Sequence, residues 1–178
     1  QMGLIVAVLQ TLVQLTSLTY LSIVSHAGGM ESWHFEVLSS LTALRSFKYQ
    51  GTVDEPFQPR TFQPLQQLTC LDLEACLLLD SVKALQLTAE HLSACTGLRR
   101  LVLSWDLWDM EWPPLRLQLS VEEAPGALQQ LEELVVVEPE RACPDPAFWR
   151  VLPLLPRLRR LEACGVYGGG VCGQTSAV

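Results

Sequence analysis

Between Leu65 and Leu78 the spacing of the leucines changes from three to two and back to three. Leu65, Leu68 and Leu71 stand three apart, Leu71 and Leu73 two apart, and Cys76 and Leu78 follow Leu73 at offsets of three and five. A helix repeats its apolar face near every 3.6 residues and a strand every second residue, so neither period alone produces this order. The stretch reads as a turning or helical tract that becomes a short strand.

The same register recurs along the chain. In the first unit Leu9, Leu12, Leu15, Leu18, Leu21 and Ile23 keep it, which predicts a strand over Tyr20 to Val24. Phe35, Leu38, Leu41, Leu44, Phe47 and Tyr49 carry the second, with Ser32 as N-cap of a helix over Trp33 to Ser40. Phe62, Leu65, Leu68, Leu71 and Leu73 carry the third, where Pro56, Pro59 and Pro64 forbid a long helix and predict a turn or 3₁₀ segment. The fourth runs from Leu92 through Cys95 and Leu98 to Leu101 and Leu103, with Thr88 as N-cap and Gly97 placed to end the helix. Leu128, Leu131, Leu134 and Val136 form the fifth, after a capping box at Ser120 to Glu123. The sixth runs from Trp149 to Ala163, opened by Asp145-Pro146. Its successor, Gly168-Gly169-Gly170 and the polar residues to Val178, is expected to be a flexible tail beyond a repeat body over 1–167.

The first core position of each strand, at Leu21, Phe47, Leu71, Leu101, Leu134 and Leu161, advances by 26, 24, 30, 33 and 27 residues. Such steps belong to solenoids. The chain resembles the leucine-rich repeat family, whose L-x-x-L-x-L-x-x-N/C-x-L signature stands nearly whole at Leu68, Leu71, Leu73, Cys76 and Leu78. Its first half recurs at Leu18/Leu21/Ile23 and Leu98/Leu101/Leu103. The resemblance implies an α/β solenoid of about six repeats, with a curved parallel sheet on the concave side and short helices and 3₁₀ turns on the convex side. Cys76 at the ladder position is similar to the cysteine-containing, F-box-associated type. His26, Thr52, Asp106, Pro139 and Val166 at the other ladder positions depart from it. The two long steps predict insertions at about Leu79 to Leu87 and Leu107 to Val121, and Leu115 to Val121 alternates with period two as an extra strand would.

Hydrophobic residues make up 49% of the 178, natural for a stack in which every repeat feeds one running core. The apolar run from Gly3 to Leu9 falls well short of the roughly 20 residues that cross a bilayer, and no membrane partner is expected. It also lacks the basic start and small-residue end of a signal peptide. With 19 acidic against 12 basic residues the net charge is −7, which repels phosphate backbones and argues against nucleic acid. The six cysteines contain no CxxC pair, a usage that points to a reduced, intracellular setting. Because neither end carries a polar cap, the repeats are expected to continue in a larger chain.

Alternate strand residues must look away from the core. Strands stacked in register place Lys48 against Asp72 and line up Arg100, Glu133 and Arg160, with Arg99, Glu132 and Arg159 one residue earlier. Such rows are register-fixing charge ladders, or a landing strip for a protein partner, or both. The candidate partner-binding residues are Tyr20, Lys48, Asp72, Glu74, Arg100, Glu133, Arg160 and Glu162, joined by Trp105, which leaves the fourth strand, and by Trp108 and Trp112 of the tryptophan-rich insertion. Those indoles either seal an enlarged repeat or anchor a partner at its rim.

No HExxH, GxSxG, P-loop or GxGxxG pattern occurs, and His26, His34 and His91 fall in different units. The expectation is therefore a protein-binding module, not an enzyme, with no cofactor and no metal. As an alternative it is the ligand-sensing or substrate-recognition portion of a larger receptor, ubiquitin-ligase adaptor or signalling enzyme.

Overall fold

The computed structural model describes residues 11–12, 14–25, 38–53, 62–77, 86–105, 116–118, 128–138 and 152–165. Six strands form one parallel sheet in the order β1 (Tyr20–Val24), β2 (Ser46–Val53), β3 (Cys70–Leu77), β5 (Arg100–Trp105), β7 (Glu133–Glu138) and β8 (Arg160–Gly165). Every one pairs with the next in register, so Leu21, Phe47, Leu71, Leu101, Leu134 and Leu161 stand side by side. That is a solenoid-like stack with the steps expected from the sequence.

The three-residue leucine spacing has a direct cause. In each repeat one leucine-position N–H donates to the carbonyl of the leucine position three before it, as Leu44 does to Leu41 and Leu41 to Leu38. Leu68 to Leu65 and Leu65 to Phe62 repeat the pattern, as do Leu98 to Cys95 and Cys95 to Leu92. These are 3₁₀-type bonds, which eclipse residues three apart and aim them at one side. Short 3₁₀ helices mark Leu38–Ser40, Gln63–Leu65 and Leu152–Leu154. The 3₁₀ segment expected in the third repeat is therefore present, with Pro64 inside its first turn, where a proline needs no N–H partner.

A second ladder ties the repeats together where the strands begin. The Thr19 carbonyl accepts from the N–H groups of both Arg45 and Ser46, and the Arg45 carbonyl from Thr69 and Cys70. Thr69, Arg99 and Glu132 continue the series to Arg159 and Arg160. The Thr69 hydroxyl adds a bond to the Arg45 carbonyl at 3.1 Å.

Inward residues of all repeats merge into one spine. Phe47, Tyr49, Leu71, Leu73, Leu101, Leu103, Leu134 and Val136 are buried, along with Leu38, Leu41, Leu44, Phe62, Leu65 and Leu68 from the turns. Each such side chain stabilises the fold by roughly 1.5–3 kcal/mol over its exposed state. Cys95 replaces a leucine in this spine, and its thiol donates to the Leu65 carbonyl at 3.5 Å and the Phe62 carbonyl at 3.7 Å. Burial pushes that thiol's pKa up to about 12.

The fourth repeat corrects one expectation. The α-helix of this repeat, α1 (Ala89–Leu92), starts directly after Thr88 but ends five residues before Gly97, which occupies a later turn. Four residues cannot form a complete set of helical bonds, and the Cys95 N–H turns back to Leu92 in a 3₁₀ bond. The extra strand expected from the alternation at Leu115 to Val121 exists as β6 (Arg116–Gln118), which pairs in parallel with β4 (Gln86–Thr88) in a separate two-stranded sheet. Both strands lie at the predicted insertions. The helix over Trp33 to Ser40 is described only at its end, as 3₁₀, and the caps at Ser120 to Glu123 and Asp145-Pro146 lie outside the described residues, as does the tail.

Candidate functional site

In-register pairing turns equivalent outward residues of successive strands into neighbours. Asp72 of β3 lies beside Lys48 of β2, and the Lys48 Nζ reaches Asp72 Oδ2 at 3.7 Å and Glu74 Oε2 at 3.4 Å. Gln50 donates from its amide to Glu74 Oε1 at 3.1 Å. One cation thus serves two carboxylates, and Asp72 leads the influences that raise the Lys48 pKa above its ordinary value.

A second network spans three strands. Glu133 of β7 takes Arg100 of β5 on one oxygen and Arg160 of β8 on the other, each at 3.1 Å. Arg160 also grips Glu162 of its own strand through its Nε at 3.0 Å and through Nη2. The Arg160 pKa is raised, first by that hydrogen bond and then by the charges of Glu162 and Glu133. For Arg100, desolvation opposes the charge but is outweighed by the Cys70 thiol, 3.9 Å from its Nη1, and by Glu133, so its pKa too is raised. The expected row Arg100–Glu133–Arg160 is therefore complete. The parallel row is half formed: Arg99 meets Glu132 at 3.9 Å, and Arg159 forms no ion pair among the described residues.

Tyr20 stands at the start of the edge strand β1, 56% exposed, with no ion pair of its own but as the least of the influences that raise the Lys48 pKa. Trp105 closes β5 opposite Ala75 of β3, while Trp108 and Trp112 lie outside the described residues. One outward position behaves differently from the rest. Val135, flanked in register by Val102 and Glu162, is only 8% exposed. The outward face consequently has an apolar middle between the two charged networks.

Besides the diagonal reach of Lys48 to Glu74 and the same-strand pair of Arg160 with Glu162, two contacts were not anticipated from residue types, the Gln50 amide on Glu74 and the Cys70 thiol on Arg100. Both join equivalent positions of adjacent repeats, so the register itself was the signal that contained them. Among the described residues no group of three His, Cys, Asp or Glu side chains is placed to hold a metal ion, and no helix is long and apolar enough to cross a membrane. His91, in α1, is buried. His26 and His34 lie outside the described residues.

Scans against known protein families, curated proteins and solved structures each found no match.

Proposed function

We propose that this protein is a leucine-rich-repeat-like solenoid that recognises another protein through the outward, concave face of its six-stranded sheet. The observation that carries the reading is the ordered array on that face, in which Lys48, Asp72 and Glu74 form one charged cluster and Arg100, Glu133, Arg160 and Glu162 another. Side chains held by cross-strand ion pairs lose little further freedom on binding, so a rigid sheet bearing them is preorganised for a partner. The half-buried Val102 and Val137, on either side of the buried Val135, give a partner some apolar surface to desolvate, and arginine is a favoured anchor at such places.

Affinity capture from the native cell with the Arg100→Glu/Arg160→Glu variant as bait tests it. The expected result is loss of a partner that the unaltered protein retains, with a Gln66→Ala/Gln67→Ala variant on the exposed turns retaining it as well. Equal capture by all three folded baits, checked by circular dichroism, would remove the concave face from the account.

A further inference from the structure

The row of residues just before the strands differs from the face it borders. Its members, Thr19, Arg45, Thr69, Arg99, Glu132 and Arg159, are fixed relative to one another by the shared-carbonyl ladder described above. Three arginines stand there against one glutamate, a net +2 in a chain whose total is −7. That glutamate is held loosely by Arg99, whose side chain is 64% exposed. Arg45 and Arg159 are exposed, and neither has an ion pair or side-chain hydrogen bond among the described residues. The concave arginines differ, since both are bound to Glu133.

Spacing adds a second constraint. Arg45, Arg99 and Arg159 recur at every second strand, and two strand separations come to about 10 Å. A chain in the extended polyproline II conformation turns once every three residues and rises about 3.1 Å per residue, so its every third side chain lies on one face and nearly matches that interval.

We propose that this rim binds an extended acidic segment of a partner protein, with carboxylates at every third residue meeting Arg45, Arg99 and Arg159. The inference rests on the protein-binding reading above and names the chemistry of the partner at one border of the face. A protein segment fits better than a nucleic acid. Phosphate backbones carry charge at every residue and would meet Glu132 on the rim and four carboxylates on the adjoining face, whereas an acidic peptide with neutral residues between its charges passes Thr69 and Glu132 without penalty. Arginine also takes a carboxylate through two parallel N–H donors, which gives the contact a direction.

Fluorescence anisotropy with labelled synthetic peptides tests the proposal on the full chain. One peptide carries four glutamates at every third position among serine and glycine, and a second has the same composition with the glutamates contiguous. The spaced peptide is expected to bind several-fold more tightly than the contiguous one at low salt and to be released as salt is raised. An Arg45→Gln/Arg99→Gln/Arg159→Gln variant is expected to bind it about tenfold more weakly, from three exposed charge pairs. Equal binding of the two peptides by the unaltered protein overturns the proposal without recourse to any variant, as does tighter binding of a thymidine oligonucleotide. Undiminished affinity in the folded triple variant overturns it too. If the spaced peptide fails while the Arg100→Glu/Arg160→Glu bait still loses its partner, the rim inference falls alone and the concave reading stands.

Discussion

The inner strands and the end strands of this sheet carry the same leucine register but not the same burial. Phe47, Leu71, Leu101 and Leu134, with a repeat on each side, are wholly buried, whereas Leu21 of β1 keeps a little exposure and Leu161 of β8 more. At the second core position Tyr49, Leu73, Leu103 and Val136 are buried, and Ile23 and Ala163 are not fully so. A core position in a stack is thus completed by its neighbours and not by its own repeat, the behaviour of a nearly one-dimensional assembly.

The largest test of that contrast is Phe47→Ala beside Leu161→Ala. Phe47 is fully enclosed, so its loss is expected to cost about 3–5 kcal/mol in denaturant unfolding, with Leu161→Ala nearer about 1. Equal costs would erase the distinction between inner and end repeats.

Cys95 sharpens the same point through pH. Its thiol keeps its proton to about 12 in the folded chain but loses it near 9.0 when unfolded. Because the unfolded state sheds the proton first, stability from this group is intact below pH 9.0 and declines as pH rises toward 12, by about 4 kcal/mol in all. Cys95→Ala is expected to flatten that alkaline decline. At neutral pH a thiol reagent should modify the half-buried Cys70 and leave Cys95 untouched until the chain unfolds.

Gly51 tests the seam between an end repeat and an inner one. Its φ of +155° is unfavourable for other residues, and an added Cβ would lie 2.7 Å from the Ser25 carbonyl and 2.9 Å from the Tyr49 hydroxyl. Gly51→Ala should therefore destabilise by about 1–3 kcal/mol, a loss visible as a lower melting temperature. Smaller still is the effect of Glu133→Gln, which weakens two exposed ion pairs at once. A loss of about 1 kcal/mol is expected, most of it gone in high salt.

Much of this arrangement was legible in the residues because a parallel, in-register stack converts sequence equivalence into contact. Lys48 with Asp72, and Arg100 with Glu133 and Arg160, needed only the two-residue strand spacing and the repeat step. The eight-residue lengths of β2 and β3 were not legible, since the two-residue spacing stops at Tyr49 and Leu73, and the return to a spacing of three at Cys76 reads as the end of a short strand. Nor was the pairing of β4 with β6. Strands of three residues drawn from two insertions share no repeated register, and their meeting depends on tertiary placement. Gly97 misled for a similar reason: a glycine after an apolar run marks a helix end only where a full helix precedes it, and α1 stops at Leu92.

The central claim is the order of the strands, and distances between spin labels on the outward face test it most directly. Orthogonal labels on non-natural residues at positions 20 and 160, and separately at 46 and 160, avoid the native cysteines. With five and four strand spacings between them, the backbone separations expected are about 24 Å and about 19 Å. A pair at 46 and 160 as far apart as the pair at 20 and 160, or farther, would contradict the stack.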